Sequence, residues 1–275
     1  MTVPVYVVGD IHGQYIKLVR VLRHANLIDE TRKWCGGTAH LWFMGDFLDR
    51  GSDSLAVIEL VMRLQREAYE AGGEVHALLG NHEILFLSAV RFHKRGGFEV
   101  AWLRNGGHGP DLSEITTSQK DWLLSLPAMA LRYDRLLLHA DAMFYTHYGL
   151  SVEQVNESFR HILQSDDMAS WEMLLEDFSE RMAFLPGRLD ALTRVMRMLN
   201  IYGGKALIHG HTPITYMKHN GAEPDAVTEA FSYNDGLCVN VDGGMYLGGA
   251  GFAYALDGDV IERAVPESVC EKGDL

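Results

Sequence analysis

At 275 residues and 30.8 kDa, with 47% hydrophobic residues, the chain is long enough to bury a sizeable core. Its 24 basic residues stand against 37 acidic ones, and a net charge of -13 excludes a general nucleic-acid or anionic-membrane surface, because both need a field of the opposite sign. An anionic substrate has to be met by local cations.

Residues 3–8 form a continuous β-branched and aromatic run ending in Gly9-Asp10-Ile11-His12-Gly13, and apolar residues then recur at Ile16, Val19, Leu22 and Leu27. This predicts strand, loop and helix. The same order returns at residues 41–44, then Gly45-Asp46-Phe47-Leu48-Asp49-Arg50-Gly51, then Leu55, Ile58, Val61, Met62 and Leu64. It returns again at residues 75–79, Gly80-Asn81-His82-Glu83 and residues 84–90. Three consecutive βα units predict an α/β sheet with a parallel portion and right-handed crossovers, with all three polar motifs on one edge. Residues 92–131 mix the glycine-rich Gly96-Gly97 and Asn105-Gly106-Gly107 with helical fragments around Trp102 and Trp122. Residues 135–139 predict a buried strand ending in His139, residues 151–200 helices with acidic faces, and residues 205–208 a strand ending in His209-Gly210-His211-Thr212-Pro213. Residues 238–241, 251–256 and 260–265 alternate apolar and polar between glycine turns, as an antiparallel meander does, and residues 271–275 read as a frayed tail.

Three widely spaced cysteines, Cys35, Cys238 and Cys270, make neither a disulfide framework nor a zinc knuckle and point to a reducing compartment. No apolar stretch approaches the ~18 residues of a membrane span, and residues 1–9 lack the basic start of a signal segment, so the chain reads as soluble and cytoplasmic.

The polar residues at the strand ends are Asp10, His12, Asp46, Asn81, His82, His139 and His211, a set of oxygen and imidazole donors without a thiolate. Such a mixture suits divalent manganese, iron or zinc. A lone Asp or His after a strand is usually a turn residue or a cap. Five strand ends that agree in offering ligand-type side chains are not expected of unrelated turns. Two ions ~3.5–4 Å apart, bridged by one carboxylate, suit phosphate-ester hydrolysis, and Asp46 is the expected bridge. Arg50 offers a fork for two phosphate oxygens. Trp42, Trp102, Trp122 and Trp171 read as packing residues rather than a base-stacking platform.

The three glycine-flanked motifs, in this order, resemble the signature of the calcineurin-like metallophosphoesterases, in particular the phosphoprotein phosphatase branch. The resemblance continues through Leu138-His139-Ala140 and Gly210-His211-Thr212-Pro213 to Asn240-Val241-Asp242-Gly243-Gly244. It is strongest to bacterial serine/threonine phosphatases and diadenosine tetraphosphatases. It implies a β-sandwich flanked by helices, α+β in some schemes, with βαβ units carrying the metal site. A single domain over residues 1–275, with a helical insertion at about 150–200, is expected.

The resemblance also assigns roles. Asp10, His12 and Asp46 hold one metal, and Asp46, Asn81, His139 and His211 the other, most simply as two manganese ions. His82 is the general acid, Asp49 its orienting carboxylate, and Arg50 a phosphate ligand. A second phosphate-binding arginine falls on Arg181, with Arg188 as its rival. Against the family pattern, Asp141 occupies a usual glycine position, where it can perturb the adjacent loop or the histidine. His209, two residues from His211, reads as a group behind the ligands or facing substrate. The implied activity is dinuclear-metal hydrolysis of phosphate monoesters on phosphoproteins or phosphorylated small molecules, foremost as a serine/threonine protein phosphatase. The alternative is a dinucleoside polyphosphate hydrolase, with cationic His93, Lys94, Arg95 and Arg104 as its polyphosphate clamp. A non-catalytic phosphate- or protein-binding module ranks last.

Overall fold

The computed structural model describes residues 3–218 and 223–256. Strand β1 (Val5–Val8), helix α1 (Tyr15–His24), β2 (His40–Phe43), α2 (Ser54–Glu70), β3 (Glu74–Ala77) and α3 (Asn81–Phe92) are the three anticipated βα units. Next come α4 (Phe98–Arg104), α5 (Asp111–Glu114) and α6 (Thr117–Ser125), and then the hairpin of β4 (Met129–Arg132) and β5 (Arg135–Leu138). Helices α7 (Val152–Gln164), α8 (Met168–Asp177) and α9 (Ala191–Tyr202) run between β5 and β6 (Ala206–His209), in the stretch read as helical. The described chain ends with α10 (Ile214–Met217), β7 (Phe231–Tyr233), β8 (Cys238–Asn240) and β9 (Tyr254–Ala255). Among the described residues no helix is long and apolar enough to cross a membrane.

The strands form two mixed sheets, ordered β3-β2-β1-β9 and β4-β5-β6-β8-β7. Within them β1, β2 and β3 are mutually parallel, as are β5, β6 and β8. Side chains alternate across each strand, so each sheet has two buried faces. Val5, Val7, Trp42, Leu137, Ile208 and Val239 fill the space between the sheets, whereas Tyr6, Val8, Leu41, Phe43, Leu136 and Leu207 pack outward under the helices. Burial on both faces explains why these strands read as unbroken apolar runs. The helices supply the outer cover through one stripe each. In α7, Ser151 Oγ caps the first turn by accepting from the Gln154 N–H, and Val155, Phe159 and Leu163 face inward.

The predicted meander is corrected. Strand β8 runs parallel to β6 and antiparallel to β7, while β9 crosses to the other sheet and pairs with β1. Alternation marks a half-buried strand but does not name its neighbour, and the third anticipated strand, 260–265, lies outside the described residues. The short strands β4 and β7 carry too little pattern to be read in advance. Strand β4 turns into β5 through Tyr133 and Asp134, both with positive φ (53° and 57°), as a tight hairpin demands.

Candidate active site

The carboxyl ends of β1, β2, β3, β5, β6 and β8 converge at one end of the sandwich. The His211 N–H donates to both Asp10 oxygens (3.0 and 3.1 Å), and His139 Nδ1 donates to the Met44 carbonyl (2.8 Å), so loops of the two sheets interlock. Five non-glycine residues here hold left-handed φ values: His12 (49°), Asp46 (53°), Asp49 (70°), Arg50 (64°) and His211 (68°). Each such residue costs ~1–3 kcal/mol, strain that persists only where surrounding bonds over-determine the backbone. Glu83 supplies many of those bonds. Its buried carboxylate accepts from the N–H groups of Asp46 (2.7 Å), Phe47 (2.8 Å), Leu48 (3.3 Å) and Gly80 (2.9 Å). A Cβ at Gly80 would lie 2.3 Å from Asp46 Oδ1, so only glycine lets these two loops meet.

Two groups of ligand-type atoms share Asp46. One contains His12, Asp46 and His82, the other Asp46, His139 and His211. His12 donates from Nδ1 to the Leu48 carbonyl (2.9 Å), which leaves Nε2 facing Asp46 Oδ2 at 3.6 Å and Asp10 Oδ2 at 4.0 Å. His139 likewise spends Nδ1 on Met44 and turns Nε2 to Asp46 Oδ1 (3.4 Å). His211 is reversed: Nε2 donates to the Phe178 carbonyl (3.1 Å), and Nδ1 faces inward. The side-chain oxygen of Asn81 lies 3.0 Å from His139 Nε2 and 2.9 Å from His211 Nδ1. Carbonyl bonds of this kind fix the tautomer and aim the free nitrogen.

The charge distribution asks for cations. Burial, then the neighbouring Asp242, push the Asp10 carboxyl well above its ordinary value. Burial and Asp46 push Asp242 up to about 6, and its Oδ2 has no hydrogen-bond partner among the described residues. Asp46 is the exception: burial opposes its charge, but His139 and His82 hold it well below the carboxylate range. Burial likewise opposes a charge on His139, yet Asp46 outweighs it and raises the imidazole to about 9. Burial, aided by nearby cationic groups, keeps His12 and His211 well below the usual imidazole range, hence neutral as metal ligation requires. Crowded buried carboxylates, an orphaned carboxylate oxygen and neutral imidazoles with aimed nitrogens fit divalent cations with mixed oxygen and nitrogen coordination.

Beside this cluster His82 Nδ1 lies 2.6 Å from Asp49 Oδ2. Arg50 donates from Nη2 to His82 Nε2 (3.0 Å) and from Nη1 to His12 Nε2 (2.8 Å), with its guanidinium 4.1 Å above the Tyr246 ring. Arg181 Nη1 donates to the His211 carbonyl (2.5 Å), and Arg181 lines a cleft with Asn81. Among the described residues the side chain of the rival Arg188 reaches only the Arg181 carbonyl, and it is exposed. Asp141 explains how Arg181 comes so close. Its carboxylate accepts from the Met182 N–H (2.8 Å) and from Thr212 Oγ1 (2.7 Å), tying the Arg181 loop to the His211 loop. His209 is fully buried, with Nε2 2.7 Å from the Tyr233 hydroxyl, so it lies behind the ligands and does not face substrate.

Asp242, Tyr246 and the bonding role of Glu83 join the site without having been expected from the sequence, as does the indole of Trp102, which is core as expected but also donates to Asp49 Oδ1 (2.6 Å). The one available signal was Asp242 within Asn240-Val241-Asp242-Gly243-Gly244, another ligand-type residue at a strand end.

Comparison with known proteins agrees with this geometry. Shewanella-like protein phosphatase 2 of Arabidopsis thaliana is 37% identical over 93 residues, which are 34% of this chain and 24% of that protein. The symmetrical bis(5'-nucleosyl)-tetraphosphatase of Vibrio cholerae is 26% identical over 202 residues, 72% of this chain and 65% of that one. The crystal structure of the cold-active protein-tyrosine phosphatase of a psychrophile Shewanella sp. shares the fold, with a TM-score of 0.68 at 23% identity over 92% of this chain and 75% of that one. The profile of the calcineurin-like phosphoesterases matches residues 3–214, a stretch that holds every candidate ligand from Asp10 to His211, and the chain therefore belongs to that family.

Proposed function

We propose that this protein hydrolyses phosphate monoesters on phosphorylated proteins, foremost at serine or threonine. The observation that carries the reading is the short Asp49–His82 contact placed directly beside two ligand groups that share Asp46. In this reading Asp10, His12 and Asp46 hold one divalent ion and Asp46, Asn81, His139 and His211 the other, with manganese as the natural occupant and iron or zinc as substitutes. Bound ions of this kind acidify water and take up charge on phosphoryl oxygens. Arg50 and Arg181 hold the phosphate, the first through a planar fork that matches two oxygens. Asp49 accepts from His82 Nδ1–H and aims the ring; as general acid the imidazole carries a second proton at Nε2, which it would pass to the departing alkoxide once Arg50 has turned to the phosphate.

The cleft beside Asn81 and Arg181 supports a protein substrate. It has a volume of about 540 Å³, and its walls include the carboxylates of Glu172 and Glu176. Its two rings, Phe98 and Phe178, are buried, which leaves a nucleobase no stacking face, and a polyphosphate would meet the carboxylates. The cationic residues His93, Lys94, Arg95 and Arg104 are exposed and do not line this cleft. In sequence the Vibrio tetraphosphatase matches 72% of this chain against 34% for the Arabidopsis phosphatase, which keeps dinucleoside polyphosphate hydrolysis as the second reading. Turnover of a phosphoserine peptide, a phosphotyrosine peptide and diadenosine tetraphosphate by the manganese-loaded protein decides between them. The phosphoserine peptide is expected to be preferred; faster cleavage of the dinucleotide would overturn the assignment.

A further inference from the structure

Helix α4 and the turn behind it reach two of the groups assigned to chemistry. The carboxylate of Asp49 is fully buried, and its two oxygens have different partners: Oδ2 meets His82 Nδ1 at 2.6 Å, and Oδ1 accepts from Trp102 Nε1 at 2.6 Å. The indole is fully buried, with the Phe86 ring 5.5 Å away. The Asn105-Gly106-Gly107 turn closes against it. A Cβ on Gly107 would lie 2.2 Å from the indole, so glycine alone allows the backbone this near. The same turn offers the Gly106 carbonyl to the Arg50 N–H at 2.7 Å.

We propose that Trp102 is a positioning residue for the general acid: its indole N–H locks the plane of the Asp49 carboxylate and thereby the pose of His82. A carboxylate with one donor is free to swing about its Cβ–Cγ bond, and the imidazole it orients swings with it. With a donor at each oxygen the plane has one setting. An indole serves better than a hydroxyl here because it only donates and cannot turn a lone pair towards the carboxylate. Backing from the turn also ties this lock to Arg50, so acid and phosphate clamp share one support. The proposal rests on the hydrolytic reading of the site and extends it to a residue outside the ligand motifs.

The test replaces Trp102 by phenylalanine (Trp102→Phe) and, in a second variant, by the isosteric β-(3-benzothienyl)alanine, which keeps the shape and lacks only the N–H. For the manganese-loaded protein, kcat on a phosphoserine peptide is expected to fall on the order of 10–100-fold, the worth of one hydrogen bond to a charged group. KM should hold, and the loss should nearly vanish for p-nitrophenyl phosphate, whose leaving group needs little protonation. Independently of turnover, the His82 Nδ1–H proton resonance should exchange faster with water in both variants. Equal losses on both esters, or an isostere with native rates and native proton exchange, would reduce Trp102 to a core residue. If the native protein cleaves no phosphate ester, the hydrolytic reading fails, and the proton resonance still decides whether Trp102 holds the Asp49–His82 pair.

Discussion

Replacing Glu83 by glutamine (Glu83→Gln) tests how the strained Asp46 loop is held. The native carboxylate accepts two N–H groups at each oxygen, Phe47 and Leu48 at Oε1 and Asp46 and Gly80 at Oε2. An amide of the same shape has one oxygen, so in either orientation two of the four buried donors face an NH2 group. An unsatisfied buried donor costs ~1–3 kcal/mol, which places the loss at about 2–6 kcal/mol if the loop stays as it is. That is a large part of the ~5–15 kcal/mol that holds a typical domain together. The loop has a second way out: Asp46 can leave its left-handed conformation (φ 53°) and recover some strain, and the bridging carboxylate then moves away from His12 and His139. Urea unfolding of the metal-free protein reads the first outcome, and manganese titration by calorimetry the second, expected as ~10–100-fold weaker binding. A variant within ~0.5 kcal/mol of native stability, in the range of ordinary surface changes, and with native manganese affinity would show that Glu83 does not hold the loop.

Asp46→Asn should lose metal together with activity, because a neutral amide replaces the only carboxylate common to both ligand groups; two full equivalents retained in elemental analysis would remove Asp46 from that role. His82→Asn should keep its metal yet slow alkyl-ester hydrolysis by ~10²–10⁴-fold, with a smaller loss on aryl phosphates; equal losses would make His82 a phosphate-binding or structural group. Arg50→Lys keeps the charge and loses the fork, so kcat should fall and KM rise while inhibition by free phosphate weakens. Native turnover with native phosphate inhibition would leave Arg50 an ordinary cation lying on Tyr246.

Some of this was determined by sequence alone. Asp10, His12, Asp46, Asn81 and His82 follow apolar runs and sit among glycines, and such short-range pattern encodes both the strand and the turn after it, independently of the rest of the fold. His139 and His211 were legible for the same reason. Tertiary structure decided what local pattern does not carry. Strand β9 pairs with β1 instead of β8 because a strand's partner is chosen by the burial of two faces across the whole sandwich. Arg181 reaches the His211 loop because Asp141 bonds both Met182, 41 residues on, and Thr212, 71 residues on, whereas the Arg188 side chain donates to the Arg181 carbonyl. Glu83, Trp102 and Asp242 look in sequence like a helix residue, a core aromatic and a turn acid. Their roles come from which buried donors and acceptors each one meets once the loops have closed, and a buried polar group is costly unless that meeting occurs.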